Sequence, residues 1–180
     1  MGYLFNYSDQ FWRKYQNNRK FSTIVINIGH EGTMEVLKHY DKIIYNYLDS
    51  LFKDNLFKDT SIFLLSDHGV GIHSIYYILE FFQIEHMLPM LYIIVNDRKN
   101  ISYDEQYFNI HKNQQTFITA YDIYNTVNHL LYGDSYKYIF NLTDENATPK
   151  SALGNSLFNK IDQKSRKPKN YEFMDQWICI

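Results

Sequence analysis

The run Ser66-Asp67-His68-Gly69 places a carboxylate beside an imidazole at the end of an apolar stretch, Thr60-Ser61-Ile62-Phe63-Leu64-Leu65. A carboxylate supplies a hard oxygen and an imidazole a borderline nitrogen. Together they suit Zn²⁺, Mn²⁺ or a similar divalent ion better than Ca²⁺ alone. Gly69 lets the backbone turn away sharply, so that both side chains can face one site. The alternative is a strand-end turn in which Asp67 caps the next segment and His68 has no chemical part. His30 stands in a second such loop, Gly29-His30-Glu31-Gly32, after the β-branched run Thr23-Ile24-Val25-Ile26-Asn27-Ile28. Asp122 is also a candidate carboxylate, but Thr119-Ala120-Tyr121-Asp122 fits a capping box, which accounts for it structurally. His86, beside Leu88-Pro89, reads as a partly buried structural histidine, with a supporting role next to the ligands as the alternative. His39, His111 and His129 read as helix-face and loop residues.

The elements that must position these groups follow from periodicity. Ser8 to Tyr15 is a short aromatic-rich helix, and Thr23 to Ile28 reads as a buried strand. From Met34, the positions Leu37, Ile44, Leu48 and Leu51 recur at helical spacing over about five turns. Thr60 to Leu65 and Leu91 to Val95 are further strands. A strand, a helix and a strand in this order predict a βαβ crossover with parallel strands, which brings His30 and Asp67-His68 to one sheet edge, where open α/β sheets bind ligands. Asn96 to Gln115 reads as a long polar loop, Ile123 to Leu131 as a helix, and Tyr132 to Ile180 as mostly irregular. Lys164 to Lys169 is expected to be a solvated basic loop.

Composition limits the function classes. The 180 residues, 45% hydrophobic and 21% charged, are expected to fold as one domain or part of one. A net charge of −2 with both signs interspersed offers no basic face for nucleic acid. No apolar run reaches the roughly 18 to 20 residues of a bilayer span, and Met1 to Tyr15 lacks the succession of a signal peptide. The single cysteine, Cys179, excludes an internal disulfide. Sequons occur at Asn6, Asn100, Asn141 and Asn146.

The stretch Asp59 to Gly69 resembles the metal-binding strand of sulfatases and the wider alkaline phosphatase superfamily, in which hydrophobic residues lead into Ser-Asp-His-Gly. Tyr121-Asp122-Ile123-Tyr124-Asn125-Thr126 with Leu130-Leu131 resembles the family's Asp-Ile/Leu helix, and Gly154-Asn155-Ser156-Leu157-Phe158 its Gly-x-Ser-Leu strand start. The similarity is nearest to the eukaryotic sulfatase-like family of unknown function, in the loop at Ile28-Gly29-His30, the Glu-x-x-Leu-Pro step at Glu85 to Pro89, the run Asn109 to Asn113 and the ending Trp177-Ile178-Cys179. It covers about Phe11 to Cys179.

The resemblance implies an α/β fold with a mostly parallel sheet flanked by helices, residues 1–180 being the C-terminal portion of one sulfatase-like domain. It implies metal-dependent hydrolysis or transfer of a sulfate or phosphate ester. Asp67 and His68 would hold a divalent ion (Zn, Mn, Ca or Mg), with His73 as a third ligand after the pair, at a shorter spacing than relatives use. His30 would contact the substrate oxyanion or leaving group. A secretory or extracellular location follows from the resemblance and the sequons.

The departures are equally specific. Nothing resembles the family's nucleophile region, so a missing N-terminal segment or partner subunit is expected to supply it, and the isolated chain is expected to be inactive. Ile26 stands where two-metal relatives place an Asp. A degenerate sulfatase-like module with a binding or assembly role is the alternative function.

Overall fold

The computed structural model describes residues 2–33, 35–58, 60–69, 78, 80–95, 105–136 and 154–166. The chain divides into two units, Met1–Asn96 and Asp97–Ile180.

In the first unit, helix α1 (Gly2–Lys14) begins well before Ser8. The stretch contains no proline and no β-branched residue, and Arg13 and Lys14 fall in its last turn, where cations complement the helix dipole. Its buried Phe5 meets Tyr47 at 5.1 Å between ring centroids, and Ser8 Oγ lies 2.7 Å from the Tyr47 hydroxyl. Tyr47 belongs to helix α2 (Asp41–Lys53), which continues from the 3-10 turn Val36–Tyr40. Together they fill the stretch that the 3.6-residue period predicts. Leu51 is 1% exposed, and burying such a side chain contributes about 1.5–3 kcal/mol. The helix stops in a Schellman motif, with Leu56 N–H donating to the Leu51 carbonyl and Asn55 N–H to that of Phe52, both at 3.0 Å. Asn55 takes the required positive φ of 59°.

Strand β1 (Ser61–Leu65), helix α3 (Glu80–His86) and strand β2 (Leu91–Val95) complete this unit. The two strands pair antiparallel, with Ile62 opposite Ile94 and Leu65 opposite Leu91. The expected parallel pairing is therefore not what the described residues form. A βαβ crossover needs Thr23 to Ile28 as its first strand, and that segment has no ladder partner among the described residues. It lies along α1, where Ile24 and Phe21 line an apolar groove with Leu4 and Phe11, and Val25 is 79% exposed. β-branched composition favours the extended backbone, but only a hydrogen-bonded neighbour makes it a strand.

In the second unit, helix α4 (Glu105–Asn113) occupies much of the stretch expected to be a loop. Its inward face is polar, so a search for apolar periodicity passes over it. Asn109 and Asn113, one turn apart, are both buried, and their amides donate to the carbonyls of Phe158 at 3.0 Å and of Leu157 and Asn159 at 2.9 Å. Helix α5 (Ala120–Tyr132) begins at the predicted Thr119–Asp122 capping box. From it, Asn125 donates to the Gly154 carbonyl at 2.7 Å and Thr126 Oγ1 accepts from Leu157 N–H at 2.8 Å. Residues 154–159 thus have backbone groups satisfied by side chains of two helices rather than by a sheet, as burial requires. Leu157, Phe158, Ile161 and Tyr136 form the apolar core beside them. Among the described residues the chain is mixed α/β, with five α-helices and one two-stranded sheet.

Candidate metal site

Ser66 ends the β ladder and frees the residues after it. Its N–H donates to the Met90 carbonyl at 3.0 Å, and its hydroxyl accepts from the Met90 N–H at 2.8 Å. The side chain thus takes the place of the next backbone acceptor, and the chain can turn at Asp67 with no ladder bond left open. Asp67 projects outward, its side chain 88% exposed, and its Oδ1 accepts the His68 N–H at 3.0 Å.

His68 is held more closely. Its Nδ1 lies 2.7 Å from the Gly69 carbonyl oxygen. A carbonyl only accepts, so that nitrogen carries the proton, and in the neutral ring the lone pair is on Nε2. Nε2 is 3.6 Å from Asp67 Oδ2. Two ligand atoms each about 2.1 Å from one ion at a tetrahedral angle lie about 3.4 Å apart. The 3.6 Å separation of the pair is close to that distance. Among the described residues, no group of three or more His, Cys, Asp or Glu side chains is arranged to hold an ion. His73 lies outside the described residues.

The exposed His30 ring is 6.4 Å from the His68 ring between centroids. Its loop is fixed by Glu31, whose carboxylate accepts from the N–H groups of Thr33, Glu35 and Val36 at 2.5, 3.0 and 3.2 Å. Hydrogen bonds from Thr33, and then those from Val36 and Glu35, pull the Glu31 carboxyl down to about 2. Ile26 is half-buried and Asn27 exposed on the approach to this loop. His86, at the end of α3, is the residue whose part the sequence leaves ambiguous. It is buried, its ring lies 4.7 Å from that of His68, and its Nδ1 is 3.0 Å from the same Gly69 carbonyl. Its spacing of 18 residues from His68 matches no ligand motif, so only the fold reveals it.

The second unit holds two buried polar arrangements. Asp122 is fully buried and makes a two-pronged ion pair with Arg166, Nη1 to Oδ2 and Nη2 to Oδ1, both at 2.8 Å. It also accepts from Thr119 N–H at 2.6 Å and Asn155 N–H at 2.7 Å. Arg166 is thus a buried anchor and not the solvated residue expected there, while Lys164 is exposed and residues 167–169 lie outside the described residues.

His129 is not an ordinary helix-face residue either. Its Nδ1 is 2.9 Å from Ser156 Oγ and its Nε2 3.3 Å from Asp134 Oδ1. Ser, His and Asp stand here in the order of a nucleophilic triad. Ser156, however, is 0% exposed, and its Oγ also accepts from the Phe158 N–H at 3.3 Å. A sealed hydroxyl cannot reach a substrate carbonyl, so the row holds the segment in place.

The family described as "Protein of unknown function (DUF229)" matches residues 1–180. No curated protein and no solved structure matches the chain.

Proposed function

The chain belongs to the DUF229 family, and we propose that it is the C-terminal part of a sulfatase-like domain that performs metal-dependent hydrolysis or transfer of sulfate or phosphate esters. The observation that carries this reading is the 3.6 Å approach of His68 Nε2 to Asp67 Oδ2, with the far side of the imidazole fixed on the Gly69 carbonyl. A divalent ion bound there supplies Lewis acidity toward an ester oxygen. Asp67 and His68 hold it, and Gly69 sets the tautomer that leaves Nε2 as donor. His30, on its Glu31-braced loop, meets the negative charge that develops on the ester or its leaving group. The nucleophile comes from outside residues 1–180, in a preceding segment or a partner subunit, and His73 is an additional ligand. The sheet extends in parallel fashion when that segment is present. The four sequons, with Asn6 exposed on α1, accord with a glycoprotein of the secretory pathway or cell exterior.

Metal analysis of the purified chain after loading with Zn²⁺ or Mn²⁺ tests the reading. About one ion per chain is expected, falling to background in Asp67→Ala. An ion content indifferent to that substitution counts against it.

The absence of a third ligand among the described residues favours a second reading, a degenerate module that keeps the fold for binding or assembly. It predicts metal uptake with no turnover of p-nitrophenyl sulfate or p-nitrophenyl phosphate even when the nucleophile segment is restored.

A further inference from the structure

We propose that His86 is a positioning residue for the metal-binding pair, holding the Gly69 carbonyl and the His68 ring so that His68 presents Nε2 beside the Asp67 carboxylate. The claim rests on the reading of Asp67 and His68 as ligands.

His86 grips both polar groups of Gly69. Its Nδ1 is 3.0 Å from the Gly69 carbonyl oxygen, while its own carbonyl accepts the Gly69 N–H at 2.9 Å. The end of α3 is thereby tied by side chain and main chain to the one residue that follows the Asp67-His68 pair. The Gly69 carbonyl has two lone pairs, and it accepts from both His68 and His86. Both rings must then carry hydrogen on Nδ1. The tautomer that leaves Nε2 of His68 as a donor atom depends on where this carbonyl points, and the carbonyl's direction is fixed by His86. Packing acts in the same sense, since the His86 ring lies against that of His68 at 4.7 Å with 47° between planes. His86 is 9% exposed, so the contact is shielded from competing water. His86 reaches the ligand through the Gly69 carbonyl, which His68 itself bonds, and loss of a ligand's hydrogen-bonded support typically changes metal affinity by about 10–100-fold.

A merely structural histidine would matter for stability but not for the His68 tautomer, and the experiment separates the two. The full chain, His86→Phe and His86→Asn are compared. Phe keeps the ring and removes the donor. Asn keeps an N–H near the place of Nδ1. Zinc affinity is measured by competition with a chromogenic chelator, and the His68 tautomer of the metal-free chain by long-range ¹H–¹⁵N correlation.

For H86F, a mixed His68 tautomer and roughly 10–100-fold weaker zinc binding are expected, with most of the affinity restored in H86N. Wild-type tautomer and affinity in folded H86F overturn the role of His86. If H86F does not fold, H86L, which likewise removes the donor, is read in its place, and wild-type tautomer and affinity there overturn the role too. A wild-type chain that binds no zinc, or binds it as well as D67A does, instead overturns the ligand reading beneath the proposal.

Discussion

Truncating Arg166 would leave the Asp122 carboxylate fully buried with its two-pronged partner gone. The remaining donors, Thr119 and Asn155, do not neutralise the charge. Breaking a buried pair by removing one member typically costs about 3–5 kcal/mol, so Arg166→Met is expected to lower the urea midpoint of the full chain by that equivalent, read from the change in Cm at constant m. Glu31 is a different case, because its carboxylate bonds only its own loop and its effect is local. Its folded pKa, about 2, lies below the ordinary carboxylate value of about 4.3. Stabilisation of the His30 loop is therefore fully present above that ordinary value and is lost as pH falls through the folded one. Amide exchange at Thr33, Glu35 and Val36, compared between wild type and Glu31→Gln, is expected to show extra protection in wild type at pH 5. The two chains should converge near pH 2. Equal exchange at pH 5 would remove Glu31 as the brace of the loop.

At the scale of elements, the local signals carried in the sequence were those that each segment writes for itself. The period of α2, the capping box of α5, and the apolar runs of β1 and β2 all lie in single stretches and are found where periodicity puts them. What sequence reasoning missed depends on partners far along the chain. The inward face of α4 is made of asparagines whose acceptors lie 44 to 49 residues away, so it has no apolar stripe to detect. The direction of β2 relative to β1 follows from the chain reversal between them, which no residue pattern encodes. Asp67 and His68 adjoin in space because they adjoin in sequence, whereas the approach of His86 to them became visible only when α3 returned it to Gly69.

Gly154 shows the same long-range dependence in a form open to test. A Cβ there would stand 2.5 Å from the Tyr121 carbonyl oxygen and 2.6 Å from Asn125 Nδ2, in the backbone of α5 and in the amide that holds the segment. Backbone cannot give way as a flexible side chain can. Gly154→Ala is expected to cost about 1–3 kcal/mol, measured as a fall in thermal midpoint. An unchanged midpoint would mean that 154–159 is not seated against α5 as described.

On the scale of the whole molecule, each unit holds a polar arrangement that resembles a reactive site, and the two differ in their access to solvent. The first unit offers Asp67 almost fully exposed beside a fixed imidazole. In the second, the Ser156, His129 and Asp134 row has suitable distances but a hydroxyl sealed from solvent and already engaged by the Phe158 N–H. Activation of a nucleophile requires that the substrate reach it as well as that a base adjoin it, and accessibility separates the two units where hydrogen-bond geometry does not. A fluorophosphonate, which reacts with exposed activated serines, is therefore expected to leave Ser156 unmodified in the folded full chain, as read by intact mass and peptide mapping. In the same preparation zinc uptake should respond to Asp67→Ala and be unchanged by Ser156→Ala. Labelling of Ser156 under native conditions would transfer the chemistry to the second unit, and make its triad-like row, rather than the Asp67-His68 pair, the place to look for a substrate.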